Sequence, residues 1–198
     1  RSMTRSEAAA IFARLLAEKN GDTISTAANT KFADIPAHAW YSGYVKYLSN
    51  NGITYGKSKT IFAPNDAITR AEFTTMAVRF FDVYGDGDAE IMEQFSGFND
   101  VSSGYWAAEY IKYAALHGWI NGYGDGSFHA DREINRAEVV TIVNRLLGRE
   151  ADEDYIADNL RKLNTFPDVT KRHWAYYAVM EAANAHTAVL GESESWSK

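Results

Sequence analysis

Three copies of one four-residue pattern set the frame for this chain. They read Thr4-Arg5-Ser6-Glu7, Thr69-Arg70-Ala71-Glu72 and Asn135-Arg136-Ala137-Glu138, stepping by 65 and then 66 residues. Each places a helix-capping residue first, an arginine next and a glutamate three places after the cap, the signature of a capping box. A second set of anchors keeps nearly the same period. Phe32-Ala33-Asp34-Ile35, Phe98-Asn99-Asp100-Val101 and Phe166-Pro167-Asp168-Val169 are each followed, eight residues after the Phe, by Trp40, Trp106 and Trp174. A period in the sixties shared by independent anchors marks an internal repeat.

Each copy carries two helices. The second starts at the capped arginine and shows apolar residues at i, i+3, i+4, i+7 and i+8: Ala8, Ile11, Phe12, Leu15, Leu16; then Phe73, Met76, Ala77, Phe80, Phe81; then Val139, Ile142, Val143, Leu146, Leu147. The first starts near the Trp, with stripes Trp40, Tyr44, Val45, Leu48; Trp106, Tyr110, Ile111, Ala114; and Trp174, Ala178, Val179, Ala182. Gly52 and Gly118 suit the left-handed exit of the first two, where the third copy has His186. Gly-rich turns join the helices, and segments 20–31, 82–97 and 148–165 link the copies, the last with the makings of an extra helix.

The order of halves predicts the architecture. Full units span 32–81 and 98–147, while the unit halves 4–17 and 166–196 stand at the two ends. A lone amphipathic helix would leave its stripe uncovered. The expectation is an all-α, pseudo-threefold single domain over 1–198, in which the first and last helices pair to close the third unit. The rival is an open solenoid of two repeats.

The three helix starts read as three similar anion sites. Backbone N–H groups are unpaired at a helix N-terminus and the dipole is positive there. An arginine in the first turn, such as Arg70, then offers a planar two-pronged donor to a carboxylate.

Composition narrows the function. A net charge of −6 and a pI near 5.4 argue against nucleic-acid binding. With no cysteine, disulfides and thiolate chemistry are excluded. No apolar run is long enough to span a membrane, and nothing at the start reads as a signal peptide. The five His have no metal-ligand spacing, so neither a metal nor a cofactor is expected. Aromatics at 14%, with 12 Tyr and 5 Trp, suit sugar-binding grooves as well as a core.

Between Phe98 and Glu138 the chain combines Phe-x-Asp-Val, Trp-Ala, Gly-Tyr-x-Asp-Gly-Ser-Phe and Ile-Asn-Arg-Ala-Glu. This resembles the S-layer homology domain, and the likeness extends over nearly the whole chain. The resemblance implies a prism of three helix pairs, at the bacterial cell surface, in a protein anchored non-covalently to the wall. It implies a secondary cell-wall polysaccharide as partner, often pyruvylated, and grooves between units that use the motif arginine. The ligand-binding candidates are Arg5, Arg70 and Arg136; Trp40, Trp106 and Trp174; Asp34, Asp100 and Asp168; Tyr123 and Gly124. The copies depart from the family pattern at 56–62 and after His186, so the groove nearest the complete 98–138 unit, with Arg136 or Arg70, is the first candidate.

Plainer roles compete at each position. The arginines suit surface ion pairs, the tryptophans a core, and the aspartates and Gly124 turn geometry. Tyr123 has no counterpart at Lys57. A non-enzymatic role is expected, since no nucleophile or nucleotide fingerprint occurs; a paired-carboxylate glycosidase stays open. Asp86, Asp88 and Glu90 suggest part of a calcium loop but form too short a run for an EF-hand. A protein–protein or lattice-assembly module that keeps the fold without the glycan is the alternative function.

Overall fold

The computed structural model describes residues 1–84, 95–189 and 195–197. Two compact units divide the chain, Arg1–Ile134 and Asn135–Lys198. The acidic run at Asp86, Asp88 and Glu90 lies outside the described residues.

The first unit holds α1 (Arg5–Asn20), α2 (Ser42–Asn50), α3 (Arg70–Tyr84) and α4 (Ala108–Leu116). The capping boxes form as the pattern requires. Thr4 Oγ1 accepts the Glu7 N–H at 3.2 Å while Glu7 accepts the Thr4 N–H at 2.9 Å; Thr69 and Glu72 repeat this at 3.2 and 3.0 Å. Such caps contribute about 1 kcal/mol each. The apolar stripes face inward: Phe12, Leu16, Phe73, Phe80, Val45, Leu48, Ile111 and Ala114 are all buried. Phe12 joins α1 to α3, with its ring 5.2 Å from Phe73 and 5.0 Å from Phe80. Gly52 and Gly118 take φ of 74° and 70°, the left-handed exit expected of them.

Helix pairing corrects one expectation. The stripe of α1 is covered by α2, and α3 packs on α4. The repeat order predicts the end helix of the chain as the partner of α1, but each second helix pairs with the first helix of the following copy. The turn after α2 explains the shift. Its carbonyls reach back to the start of α1, Asp66 to the Arg5 N–H and Pro64 to the Ser6 N–H, both at 3.0 Å. The chain is thereby carried away from α2 before α3 begins.

Three buried residues, each two places before a motif arginine, close a ring of backbone hydrogen bonds. Met3 N–H donates to Ile134 O at 3.0 Å, Ile134 N–H to Ile68 O at 3.0 Å, and Ile68 N–H to Met3 O at 2.9 Å.

The second unit holds α5 (Arg136–Leu146), α6 (Glu153–Asn159) with a single 3₁₀ turn after it, and α7 (Tyr176–Ala183). Asn135 and Glu138 complete the third capping box at 3.0 and 2.9 Å. The extra helix expected within 148–165 is α6, capped by Asp152, which accepts the Tyr155 N–H at 2.7 Å. α7 pairs with α5, and Asn144 donates to Ala178 O at 2.9 Å. After His186 the chain forms an antiparallel pair, β1 (Thr187–Val189) and β2 (Ser195–Ser197). Trp196 stacks on His186 at 3.9 Å and joins Ile156, Tyr176 and Met180 in a small core. This cover turns α7: Tyr176, Met180 and Glu181 are its buried residues, and Ala182 of the expected stripe is exposed. Among the described residues no helix is long and apolar enough to cross a membrane.

Candidate functional site

The turns between helices position the motif arginines. Asp34 accepts the N–H groups of Phe62 and Ala63 at 2.9 and 2.6 Å, and Asp100 those of Phe128 and His129, both at 2.7 Å. The grip holds Ala63 and His129 at φ of 58° and 55°, a conformation that costs a side chain roughly 1–2 kcal/mol. Burial pushes the Asp100 carboxyl up, but the N–H bonds from Phe128 and His129 outweigh it and hold the group below the ordinary range. With the turn fixed, the Phe62 carbonyl accepts Arg5 Nε–H and the Phe128 carbonyl accepts Arg70 Nε–H, each at 2.8 Å.

These contacts overturn the expectation of open helix starts. Arg5 and Arg70 are 4% and 5% exposed. Arg5 also pairs with Glu72 at 2.8 Å, and Arg70 donates to Asn121 O at 3.3 Å. At α3 the Arg70 and Ala71 N–H groups donate to Arg132 O and Ala130 O at 2.9 Å, as Arg5 and Ser6 do at α1. A buried helix end must satisfy its backbone donors, and here a returning turn does so.

Arg136 differs. It is exposed, with no hydrogen-bond or ion-pair partner among the described residues. The carbonyls that hold Arg5 and Arg70 lie 57 and 58 residues onward; the equivalent place for Arg136 falls near residue 194, outside the described residues. Asp168, equivalent to Asp34 and Asp100, is likewise exposed.

The three tryptophans sit in the turns just before α2, α4 and α7, at 56%, 57% and 65% exposure for Trp40, Trp106 and Trp174. Their exposure answers the question of a core role. One of them meets a motif arginine across a cavity of about 90 Å³, which Trp106 lines together with Arg5, Tyr55, Glu72, Thr75 and Arg79. The pairing left open by the sequence is therefore Arg5 with Trp106.

Arg79 escaped the sequence reading. Its Nε and Nη2 donate to Tyr110 Oη at 3.2 and 3.1 Å, and its guanidinium carbon lies 4.8 Å from the Tyr55 ring. Arg14 makes the same pair with Tyr44, at 3.2 and 3.1 Å. The signal was available: Arg14, Arg79 and Arg145 each follow a motif arginine by nine residues. In the repeat pattern Tyr44 and Tyr110 fall on the apolar stripes.

Tyr123 lies under two guanidinium groups, 5.1 Å from Arg70 and 5.4 Å from Arg132, and its hydroxyl accepts from Arg132. Gly124 is exposed, and a Cβ there would meet nothing within 4 Å. A second, wider cavity of about 480 Å³ is lined by Asp100, Tyr105, His129, Asp131 and Arg132. Burial and the hydrogen bond to Asp131 push Tyr105 up to about 12. His129 lies 3.1 Å from Ser127 Oγ and 3.7 Å from Asp100. This is no activated serine: Ser127 is buried, its hydroxyl donates to Asp125 at 2.6 Å, and Asp100 is occupied by two backbone donors. Among the described residues no group of three or more His, Asp or Glu side chains could hold a metal ion.

Residues 31–74 and 97–140 each match the S-layer homology domain. The chain is 32% identical over 202 residues to "Cell surface glycoprotein 1" of Acetivibrio thermocellus, a match covering 98% of this chain and 8% of that protein. It is 30% identical over 194 residues to the "Cellulosome-anchoring protein" of the same organism, covering 97% of this chain and 41% of that protein. It is 31% identical over 151 residues to the "Surface-layer 125 kDa protein" of Lysinibacillus sphaericus, covering 74% of this chain and 12% of that protein. The chain thus spans less than half the length of these relatives. Repeated helix pairs, three capped arginines and two full domain matches agree: the chain belongs to the S-layer homology family.

Proposed function

We propose that this chain is a non-enzymatic anchoring module that holds a larger bacterial surface protein, outside the cytoplasm, to a secondary cell-wall polysaccharide. The observation that carries the reading is the Trp106 cavity. An exposed indole stands beside arginine, tyrosine and glutamate side chains. Such a surface offers an apolar face to a pyranose ring and charged donors to its substituents. Relatives named for cell-surface and cellulosome anchoring support the role. The ligand is an anionic, pyruvylated saccharide.

Within this reading Trp106 stacks the sugar, and Trp40 and Trp174 serve equivalent surfaces. Arg5 and Arg70, braced by the turns that Asp34 and Asp100 hold, shape the groove floors; Arg136, Asp168, Tyr123 and Gly124 contribute from exposed positions. Single contacts are modest, so affinity comes from engaging several surfaces along one polymer. The test is co-sedimentation with peptidoglycan-free wall polysaccharide of Acetivibrio thermocellus. Binding that Trp106→Ala lowers about tenfold supports the reading. Absence of binding by the intact chain removes it in favour of a lattice-assembly role.

A further inference from the structure

We infer that Arg79, which stands outside the repeated capping pattern, is the anion contact of the Trp106 groove and takes a carboxylate of the bound sugar. The inference rests on the saccharide reading of that groove.

Arg5, the motif arginine in the cavity, is poorly placed for the task. It is 4% exposed, its Nε is held by Phe62 O, and its Nη1 is neutralised by Glu72. Arg79 is half-buried and lines the same cavity. Its Nε and Nη2 point one edge of the guanidinium at Tyr110 Oη. The other edge, Nη1 with the second Nη2 hydrogen, has no partner among the described residues. Two parallel N–H groups on one edge match the two oxygens of a carboxylate. The rings of Tyr55 and Tyr110, 4.8 and 4.9 Å from the guanidinium carbon, fix that edge before any ligand arrives.

An independent observation points to a polar occupant. Thr75 is 3% exposed, it lines the cavity, and its hydroxyl has no hydrogen-bond partner among the described residues. Buried hydroxyls are seldom left so, and a bound polar group supplies the missing partner. The arrangement also recurs. Arg14 is held by Tyr44, whose ring lies 6.4 Å from Trp40. In the third copy Ala178 replaces the tyrosine.

The test is calorimetric titration of the full chain with Acetivibrio thermocellus wall polysaccharide, native and after carbodiimide–borohydride reduction of its carboxyl groups. Arg79→Gln should weaken native polymer about tenfold to a hundredfold, the range for a charged hydrogen bond. Tyr110→Phe, which removes the brace but keeps the ring, should fall between. Reduced polymer should bind wild type at least as weakly as native polymer binds Arg79→Gln, and that variant should distinguish the two polymers less than wild type does. Native binding by Arg79→Gln and Tyr110→Phe at wild-type strength, while Trp106→Ala binds less, overturns the assignment and leaves the groove reading standing. If Trp106→Ala is also silent, the groove reading itself fails. Reduced polymer that binds like native polymer overturns the carboxylate.

Discussion

The carbonyl oxygen of Phe62 lies 2.8 Å from Nε of Arg5, and the same two atoms meet at 2.8 Å between Phe128 and Arg70. The motif arginine is therefore first a clasp between a helix start and a distant turn. Replacing Arg5 or Arg70 by Ala leaves a buried carbonyl without its donor and, for Arg5, a partly buried Glu72 without its cation. Each variant should lose about 2–4 kcal/mol of unfolding free energy. Arg136→Ala removes an exposed side chain and should stay within about 0.5 kcal/mol of wild type. Urea unfolding followed by circular dichroism measures the difference, and equal losses at all three positions would contradict it.

The Asp34 clamp holds Ala63 in a left-handed conformation. Asp34→Ala should cost about 1–3 kcal/mol, since two backbone N–H groups lose their acceptor. Ala63→Gly should be neutral to stabilising, by up to about 1 kcal/mol, because glycine removes the strain but adds freedom to the unfolded chain. In the double variant the glycine should recover part of the loss. A double-mutant cycle on the same urea curves tests this.

Acid should loosen the second turn through Asp100. Its folded-state pKa is depressed below the unfolded value of about 3.9. The contribution is therefore present above pH 4 and is lost as pH falls through the folded pKa. Melting temperatures between pH 7 and 2 should show wild type and Asp100→Asn converging at the acid end, with wild type higher at neutral pH. A gap that widens on acidification would reverse the sign and refute the clamp.

Trp40, Trp106 and Trp174 are exposed while Trp119 and Trp196 are buried. Acrylamide should quench most of the emission, and the quenchable part should carry the redder spectrum. Saturating polysaccharide should protect part of it, and Trp106→Ala should remove about a third of what is protected if the three surfaces are equally occupied.

What the sequence made legible follows from what is local. Caps, glycine exits and apolar stripes depend on neighbours a few residues away, and Thr69/Glu72, Gly118 and Phe73/Phe80 stand as the pattern indicates. The pairing of helices was not legible, because the turn that redirects the chain is fixed by Pro64 and Asp66 carbonyls bonding a helix start about sixty residues earlier. The burial of Arg5 and Arg70 was hidden for the same reason. Arg79 was missed on different grounds: its partner Tyr110 fits an apolar stripe equally well, and periodicity does not register a hydroxyl.

The hydrogen-bond ring of Met3, Ile68 and Ile134 uses one donor and one acceptor from each member. Nothing on it is left over for another strand. A tandem array can ordinarily grow or shrink by single copies, since each repeat greets only its neighbours. Here the copy number is counted by the backbone itself: a fourth member would find no vacant group at the ring, and two would leave a donor and an acceptor stranded. Lengthening such a protein by gene duplication would therefore proceed in sets of three.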